Sequence, residues 1–153
     1  MTHPEPRDRS QRIEDTLAKL AEPVADVWVA TASPAGSEPY LVPLSLAWVD
    51  ERAVIAVDGT SQTARNLEAG RTARLAVGPT RDVVVIDARL ERSVPVTESG
   101  ELGERYAQQA DWDPRTAGDS YRFLVLRPER IQAWREVNEI PGRTLMRDGT
   151  WLT

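Results

Sequence analysis

The sequence contains no cysteine and a single histidine, and these shortages rule out most kinds of side-chain chemistry. Without cysteine, the chain can form no disulfide, no zinc–thiolate site and no cysteine nucleophile. The one histidine, His3, lies near the N-terminus, so the rest of the chain has no imidazole for a general base, a metal cluster or a Ser-His-Asp triad. We therefore expect no catalytic side chain and no metal site, and a bound cofactor would have to supply any enzymatic chemistry.

An excess of positive charge and a long apolar run are also missing. Lys+Arg number 19 and Asp+Glu 24, which gives a net charge of −5, and an acidic chain without a basic block is poorly suited to nucleic acid. The longest apolar run, "YLVPLSLAWV", is too short to cross a bilayer and contains Pro43. The first residues show no apolar signal-peptide segment. We expect a cytoplasmic protein with neither a nucleic-acid nor a membrane partner.

Length and composition indicate one folded domain. The chain has 153 residues, of which 41% are hydrophobic, enough for a single core. We divide it into a flexible leader at 1–9, a folded domain at 10–136 and a tail at 137–153. The tail has aromatic and aliphatic side chains with which it can pack on the domain or on a second subunit.

The pattern of apolar residues predicts a mainly β fold. A short N-terminal helix is predicted with Ser10 as its N-cap and Pro23 as its end. Alternating apolar residues then predict six or seven strands, with helices at 60–70, closed by Gly70, and at 98–110. Short strands divided by turn signals, without a repeated strand–helix–strand unit, favour an antiparallel β-barrel flanked by helices.

The first three predicted strands are expected to form an antiparallel meander, and the second of them contains a proline. Pro43 cannot donate a backbone hydrogen bond, so this strand belongs at the edge of a sheet or contains a bulge. A bulge there would turn the backbone of residues 43–45 towards a ligand.

Polar side chains gather at the start of the helix predicted for "TSQTARNLEAG", residues 60–70. A helix N-terminus has unsatisfied N–H groups and a partial positive charge, which together favour an anion. Hydroxyl, amide and guanidinium donors are added by Thr60, Ser61, Thr63, Arg65 and Asn66. Because an arginine fork suits phosphate, these residues can hold one phosphate group. In the alternative, the hydroxyls are ordinary helix caps, Arg65 is an exposed helix residue and Asn66 bonds a neighbouring loop.

Several motifs give residues 24–136 a resemblance to a known family. They are "TARNL" at 63–67 with "ARLAV" at 73–77, "TRDVVVID" at 80–87 and "PERIQAWRE" at 128–136. With the proline-containing strand before them, they resemble the pyridoxamine 5′-phosphate oxidase-like, flavin-binding split-barrel superfamily. The resemblance implies a split β-barrel of six to seven antiparallel strands with flanking helices, of the FMN-binding type.

The resemblance also implies a homodimer with FMN, or alternatively the deazaflavin coenzyme F-420, in a cleft between the subunits. The residues that would line the isoalloxazine ring are Val42, Pro43, Leu44 and Ser45. The residues that would hold the phosphate are Ser61, Thr63, Arg65 and Asn66, with Thr60 beside them. From the partner subunit or the barrel rim, the ring would be approached by Trp134 and Arg135.

The implied activity is flavin- or deazaflavin-dependent oxidoreduction, with hydride transfer to or from a small organic substrate. Many relatives carry lysine or arginine where this chain has Ser61 and Thr63, so its phosphate site is less charged. The chain also lacks the C-terminal arginine and histidine pattern that true pyridoxamine-phosphate oxidases use for their substrate, and we do not expect that specific activity. Two alternatives stay open: a non-catalytic flavin- or deazaflavin-binding or carrier protein, and a structural dimer with a vestigial cleft.

Overall fold

One antiparallel sheet, curled into an open barrel, forms the body of the protein and confirms the predicted fold class. The computed structural model describes residues 2–36 and 38–153. The strands are β1 (Asp26–Ala32), β2 (Pro39–Ser45), β3 (Ala47–Val49), β4 (Arg52–Asp58), β5 (Thr72–Val77), β6 (Val83–Pro95), β7 (Tyr121–Trp134), β8 (Thr144–Arg147) and β9 (Thr150–Trp151). The α-helices of the described residues are α1 (Arg9–Leu20), α2 (Gln62–Gly70) and α3 (Gly100–Ala110).

The order of the strands explains why the sheet curls into an open barrel. Hydrogen-bonded neighbours follow the path β2-β1-β5-β6-β7-β4-β3, with β8 added on β7 and β9 on β8. The two ends of this path, β2 and β3, are separated in sequence only by Leu46, so the sheet has to curl until its ends meet. The backbone N–H of Leu46 donates to the carbonyl of Ala25 at 2.9 Å and fixes this junction.

The predicted three-strand meander is wrong. Residues 40–49 do not form one strand, because the chain bends at the fully buried Leu46. As a result β2 pairs with β1, whereas β3 pairs with β4. Pro43 does lie on an edge strand, as predicted, but the β1–β2 register runs from Asp26 opposite Ser45 to Ala32 opposite Pro39 without the bulge that was the other possibility.

The last strand of the barrel itself is the longest strand in the described part of the chain. Strand β7 runs for 14 residues and pairs with β6 along its whole length. Two register shifts bend this pair, one between Asp87 and Ala88 and one between Leu90 and Arg92. Pro128 lies opposite Ala88 at the first shift, where a missing N–H is tolerated. The following residues add the β8–β9 hairpin to the edge of β7.

Two apolar clusters pack on the two faces of the sheet. The larger fills the barrel and includes Leu46, Leu75 and Ile131. The smaller lies under α3, where the ring centroids of Tyr106 and Phe123 are 5.1 Å apart. Strand β4 is buried on both faces because it separates these two clusters.

The ends of two helices differ from the prediction. Helix α1 is capped by Asp8, whose carboxylate accepts from the N–H of Gln11 at 2.8 Å, so Ser10 is not the N-cap. In α2 the left-handed capping conformation falls on Arg71, with φ 67°, and Gly70 is the last helical residue. A side chain at position 70 would be crowded, because a Cβ on Gly70 would lie 3.3 Å from Pro34 Cγ. None of the helices in the described part of the chain is long and apolar enough to cross a membrane.

Buried charges join the two ends of the chain in a cluster that we call the clamp, made of Arg7, Arg12 and Glu139. The Arg7 guanidinium donates to both carboxylate oxygens of Glu139, at 2.9 and 2.7 Å. Arg12 donates to the backbone carbonyls of Ala133 and Glu139 at 3.2 and 2.8 Å. The hydrogen bonds from Arg7 lower the pKa of Glu139 to about 2, and the backbone N–H of Arg135, which donates to the same carboxylate, adds to this effect. Nothing in the sequence predictions anticipates the clamp.

Candidate functional site

Part of the predicted phosphate site lies beside a cleft of about 530 Å³ between α2 and the start of β2. The cleft exists because α2 packs on β1 and on the edge strand β2. Its lining residues are Ser33, Gly36, Glu38, Pro39, Tyr40, Gln62 and Asn66. In the part of the chain that the structure describes, no strand pairs with the other side of β2, so one row of its backbone groups is available to a ligand.

The turn that leads into α2 is held by hydrogen bonds of its own. The Asp58 carboxylate accepts from the hydroxyl and the backbone N–H of Thr60, at 2.6 and 2.8 Å, and from the Ser120 hydroxyl at 2.8 Å. These bonds hold the pKa of Asp58 below its ordinary value. Ser61 is the N-cap of α2, and its hydroxyl accepts from the N–H of Ala64 at 3.2 Å. The hydroxyls of Thr60 and Ser61 are therefore engaged within the turn.

A chain of side-chain hydrogen bonds runs from the surface of α2 into the core. Arg65 is exposed, and its guanidinium donates to Gln62 Oε1 at 2.9 Å. The Gln62 amide nitrogen donates to Asn66 Oδ1 at 2.7 Å, and the Asn66 amide nitrogen donates to the Thr31 hydroxyl at 3.1 Å. Asn66 is 3% exposed, as is Thr63 on the same helix. Arg65 therefore extends into solvent, whereas Thr63 and Asn66 do not.

The predicted ring-binding residues follow the other half of β2. Val42 and Leu44 lie opposite Val29 and Val27 and pack against the barrel core. Pro43, Leu44 and Ser45 border a second cleft, of about 700 Å³, at the end of the barrel where β1 begins. The predicted phosphate and ring residues thus lie at opposite ends of one edge strand.

Trp134 and Arg135 lie far from the start of α2 within this subunit. Trp134 on β7 is opposite Val83 at the start of β6. Across β6 and β5, this end of the sheet corresponds to the start of β1. Helix α2, in contrast, is bonded to Thr31 near the end of β1. The Arg135 guanidinium lies 3.4 Å from the carboxylate of Asp82. These two residues were predicted to approach the ring, and within one subunit three strands, β1, β5 and β6, lie between them and the ring-binding strand β2.

Apolar side chains are exposed on the outer side of β1 and β2, a surface that we call the outer apolar face. Trp28 is 50% exposed and Leu41 59%. Trp28 lies directly opposite Pro43, and Leu41 is two residues from Pro43 on the same strand. Trp28 and Leu41 are therefore diagonal neighbours on one face of the sheet. A signal for this face was present in the sequence: Val27 and Val29 flank Trp28 and point inward, so the alternation of a strand turns the tryptophan outward.

The donors around α2 fit an anion such as phosphate only in part. A guanidinium has five N–H donors, and Arg65 is exposed with one of them bonded to Gln62. The N-terminus of a nine-residue helix adds a partial positive charge beside it. Two carboxylates, Asp58 and Glu38, lie near and oppose an anion. The site can therefore hold one phosphate group, chiefly through Arg65.

The curled antiparallel sheet with its flanking helices is the split-barrel fold that the sequence predicts. The family model for pyridoxamine 5′-phosphate oxidase matches residues 13–135. The chain belongs to this family, and the resemblance seen in its motifs is confirmed.

Solved structures with the same fold carry different cofactors in their names. An F420 reductase is 20% identical, with 74% of this chain and 94% of that chain covered and a TM-score of 0.62. An FMN-binding protein from Syntrophomonas wolfei subsp. wolfei is 16% identical, with 84% and 90% covered and a TM-score of 0.65. A heme binding protein from Mycobacterium smegmatis is 19% identical, with 97% and 60% covered and a TM-score of 0.65. Identities this low show the fold alone. Comparison with curated proteins gives no match.

Proposed function

We propose that the protein binds FMN, or alternatively the deazaflavin coenzyme F-420, and uses it to transfer hydride to or from a small organic substrate. The observation that carries the proposal is the exposed guanidinium of Arg65 near the start of α2, the helix that packs on β1 and on the edge strand β2. Membership of the pyridoxamine 5′-phosphate oxidase family supports the same cofactor class. The folded domain at 10–136 would hold the cofactor.

The phosphate would be held mainly by Arg65, with the first turn of α2 behind it. The Thr60 hydroxyl would contribute once it exchanges its bond to Asp58 for a bond to the phosphate, whereas the Ser61 hydroxyl accepts from Ala64 and its own proton can donate to the phosphate directly. Thr63 and Asn66 are buried on the inner side of α2, from which they support the helix. A single guanidinium with neutral donors suits one phosphate group.

The ring would lie along the free edge of β2, against Val42, Pro43, Leu44 and Ser45. In this arrangement Trp134 and Arg135 would come from the partner subunit, because within one subunit the strands β6, β5 and β1 lie between the end of β7 and the ring-binding strand β2. The outer apolar face offers a surface for such a homodimer, since Trp28 and Leu41 leave large apolar areas exposed.

A test of the homodimer replaces Trp28 with glutamate. A charge at the centre of an apolar interface is desolvated without a partner, so sedimentation velocity should show a shift from dimer to monomer at micromolar concentration. The matched control is Val137→Glu, at another exposed apolar residue that is 72% exposed, and it should stay dimeric. A wild-type protein that sediments as a monomer would contradict the proposed dimer.

When bound, a flavin or deazaflavin supplies the hydride chemistry itself. The chain's own residues would bind and orient it: Arg65 at the phosphate, backbone groups of β2 along the ring, and apolar side chains of Val42 and Leu44 under the strand. Such a site requires no histidine or cysteine, which agrees with the composition.

A second candidate function is a flavin- or deazaflavin-binding carrier without turnover. The observation that favours it is the low positive charge of the phosphate site, where Arg65 is the one cation among the predicted phosphate ligands and the carboxylates of Asp58 and Glu38 lie near. After anaerobic reduction of the FMN-loaded protein, an acceptor that is reduced faster than by free FMN would indicate an enzyme. Equal rates would indicate a carrier.

The experiment that tests cofactor binding measures the melting temperature and the absorption spectrum with FMN and with F-420. Ligand at about 100 times its Kd adds roughly 2.7 kcal/mol to the free energy of unfolding, which gives a clear shift. Arg65→Ala should weaken binding about 10- to 100-fold, as expected for a lost hydrogen bond to a charged group. The matched control, Arg74→Ala, removes another exposed arginine, paired with Asp87, and should bind like the wild type. If neither cofactor binds, the proposal is wrong.

A further inference from the structure

We infer that Asn66 is a positioning residue that acts through Gln62 to hold the Arg65 guanidinium at the cofactor phosphate, a role that rests on the proposed phosphate site. The sequence predicted Asn66 as a direct ligand. The geometry of its amide points instead to an indirect role, because both ends of the amide are bonded within the protein.

The Asn66 amide is part of the core. Asn66 is 3% exposed, and its hydrogen-bond partner Thr31 is 5% exposed. A buried amide is costly unless it is hydrogen-bonded, so its bonds to Thr31 and Gln62 fix its position strongly. The Asn66 nitrogen has two N–H donors, of which one is bonded to Thr31, so the amide is held in the core and only its second N–H is left for another partner.

The Arg65 guanidinium, at the surface end of the hydrogen-bond chain, determines which group donates at each following step. A guanidinium can only donate, so Gln62 has to turn its oxygen towards Arg65 and its nitrogen away. That nitrogen then needs an acceptor, which Asn66 Oδ1 supplies at 2.7 Å. An apolar residue at position 66 would remove this acceptor and free the Gln62 amide to rotate, with its nitrogen towards the guanidinium.

The chain connects the two walls of the cleft. Thr31 lies on β1 directly opposite Tyr40 of β2, and Tyr40, Gln62 and Asn66 all line the cleft. Because arginine is a long, flexible side chain, holding it before the ligand arrives lowers the entropy lost on binding. We expect this pre-ordering to change the affinity for the phosphorylated cofactor about 3- to 10-fold.

The test compares FMN with riboflavin, which has the same ring but no phosphate, by fluorescence titration. Asn66→Ala and Thr31→Val should each raise the Kd for FMN about 3- to 10-fold and leave the Kd for riboflavin within about twofold. If Asn66 were a direct ligand, Thr31→Val would free its nitrogen and would not weaken FMN binding. Equal weakening of FMN and riboflavin would also overturn the inference, because it would indicate a general loss of structure.

A double-mutant cycle with Arg65→Ala tests the route through Arg65. Once the guanidinium is gone, adding Asn66→Ala should not weaken FMN binding further, whereas independent roles would give additive losses. Thr31→Val keeps the shape of the side chain and stands in for Asn66→Ala if that variant does not fold.

A measurement without cofactor separates this inference from the proposed function. Nitrogen-15 relaxation of the Arg65 Nε in the free protein should show a more mobile guanidinium in Asn66→Ala and in Thr31→Val than in the wild type. Unchanged mobility would overturn the positioning role, even if FMN binds. If the mobility rises but the wild type binds neither FMN nor F-420, the hydrogen-bond chain exists and the proposed function fails instead.

Discussion

Two arginine-centred regions of the molecule use the same side chain in opposite ways. In the clamp, the Arg7 side chain is 8% exposed and donates to the Glu139 carboxylate, which is 4% exposed. At α2, Arg65 is exposed and donates to the neutral amide of Gln62. The clamp consumes its donors within the chain and stabilises the fold, whereas most donors of Arg65 are left for a ligand. The chemistry of a residue type alone does not distinguish these roles; burial and partner do.

The largest expected effect comes from breaking the clamp with Glu139→Ala. This change removes the most buried carboxylate partner of the Arg7 guanidinium, which keeps its bond to Asp15 at 3.1 Å, and the loss of one partner of a buried ion pair costs about 3–5 kcal/mol. Urea unfolding should show this loss of unfolding free energy. The matched control, Glu136→Ala, removes the carboxylate of a pair whose arginine side chain, Arg81, is 74% exposed, and should cost at most about 1 kcal/mol. If Glu139→Ala also lost no more than about 1 kcal/mol of unfolding free energy, the clamp would not stabilise the fold.

Acid should remove the same contribution without a mutation. The pKa of Glu139 is about 2 in the folded protein and 4.5 as its ordinary value, so the unfolded chain binds more protons between these values. The contribution of Glu139 is therefore fully present above about pH 4.5 and is lost as the pH falls towards 2. Glu139→Gln cannot titrate, so its unfolding free energy should depend less on pH in this window than that of the wild type. Parallel pH profiles would contradict the assignment.

The smallest expected effect on stability comes from Arg65→Ala, the other side of the comparison. An exposed arginine with one bond to a neutral amide adds little to the fold, and we expect a change within about 0.5 kcal/mol in the same urea titration. A loss as large as that of Glu139→Ala would mean that Arg65 is a structural residue, which would remove the main support for the phosphate site.

Much of the fold was predictable because strand alternation and turn residues are local signals. Pro43 indicated an edge strand, and the helix predicted at 98–110 is present as α3. The break at Leu46 was not predictable, because no glycine or proline marks it within an apolar run and its N–H bonds to Ala25, distant in sequence. The clamp was invisible for the same reason, since Arg7 and Glu139 are separated by 132 residues.

At the candidate site, the sequence indicated the helix start but not the role of each side chain. Gln62 is not among the predicted ligands, yet it joins Arg65 to Asn66. A signal for it was present: Gln62 is three residues before Arg65 and four before Asn66, the spacings at which helical side chains meet. The partner of Asn66, Thr31, lies on a different strand and could not be found from local spacing.

The most direct test of the proposed site is a crystal structure of the protein with FMN. We predict the phosphate within hydrogen-bond distance of the Arg65 guanidinium at the start of α2, and the ring against residues 42–45 with Trp134 of the partner subunit nearby. A phosphate bound away from α2, with the Arg65 guanidinium still in solvent, would contradict the site.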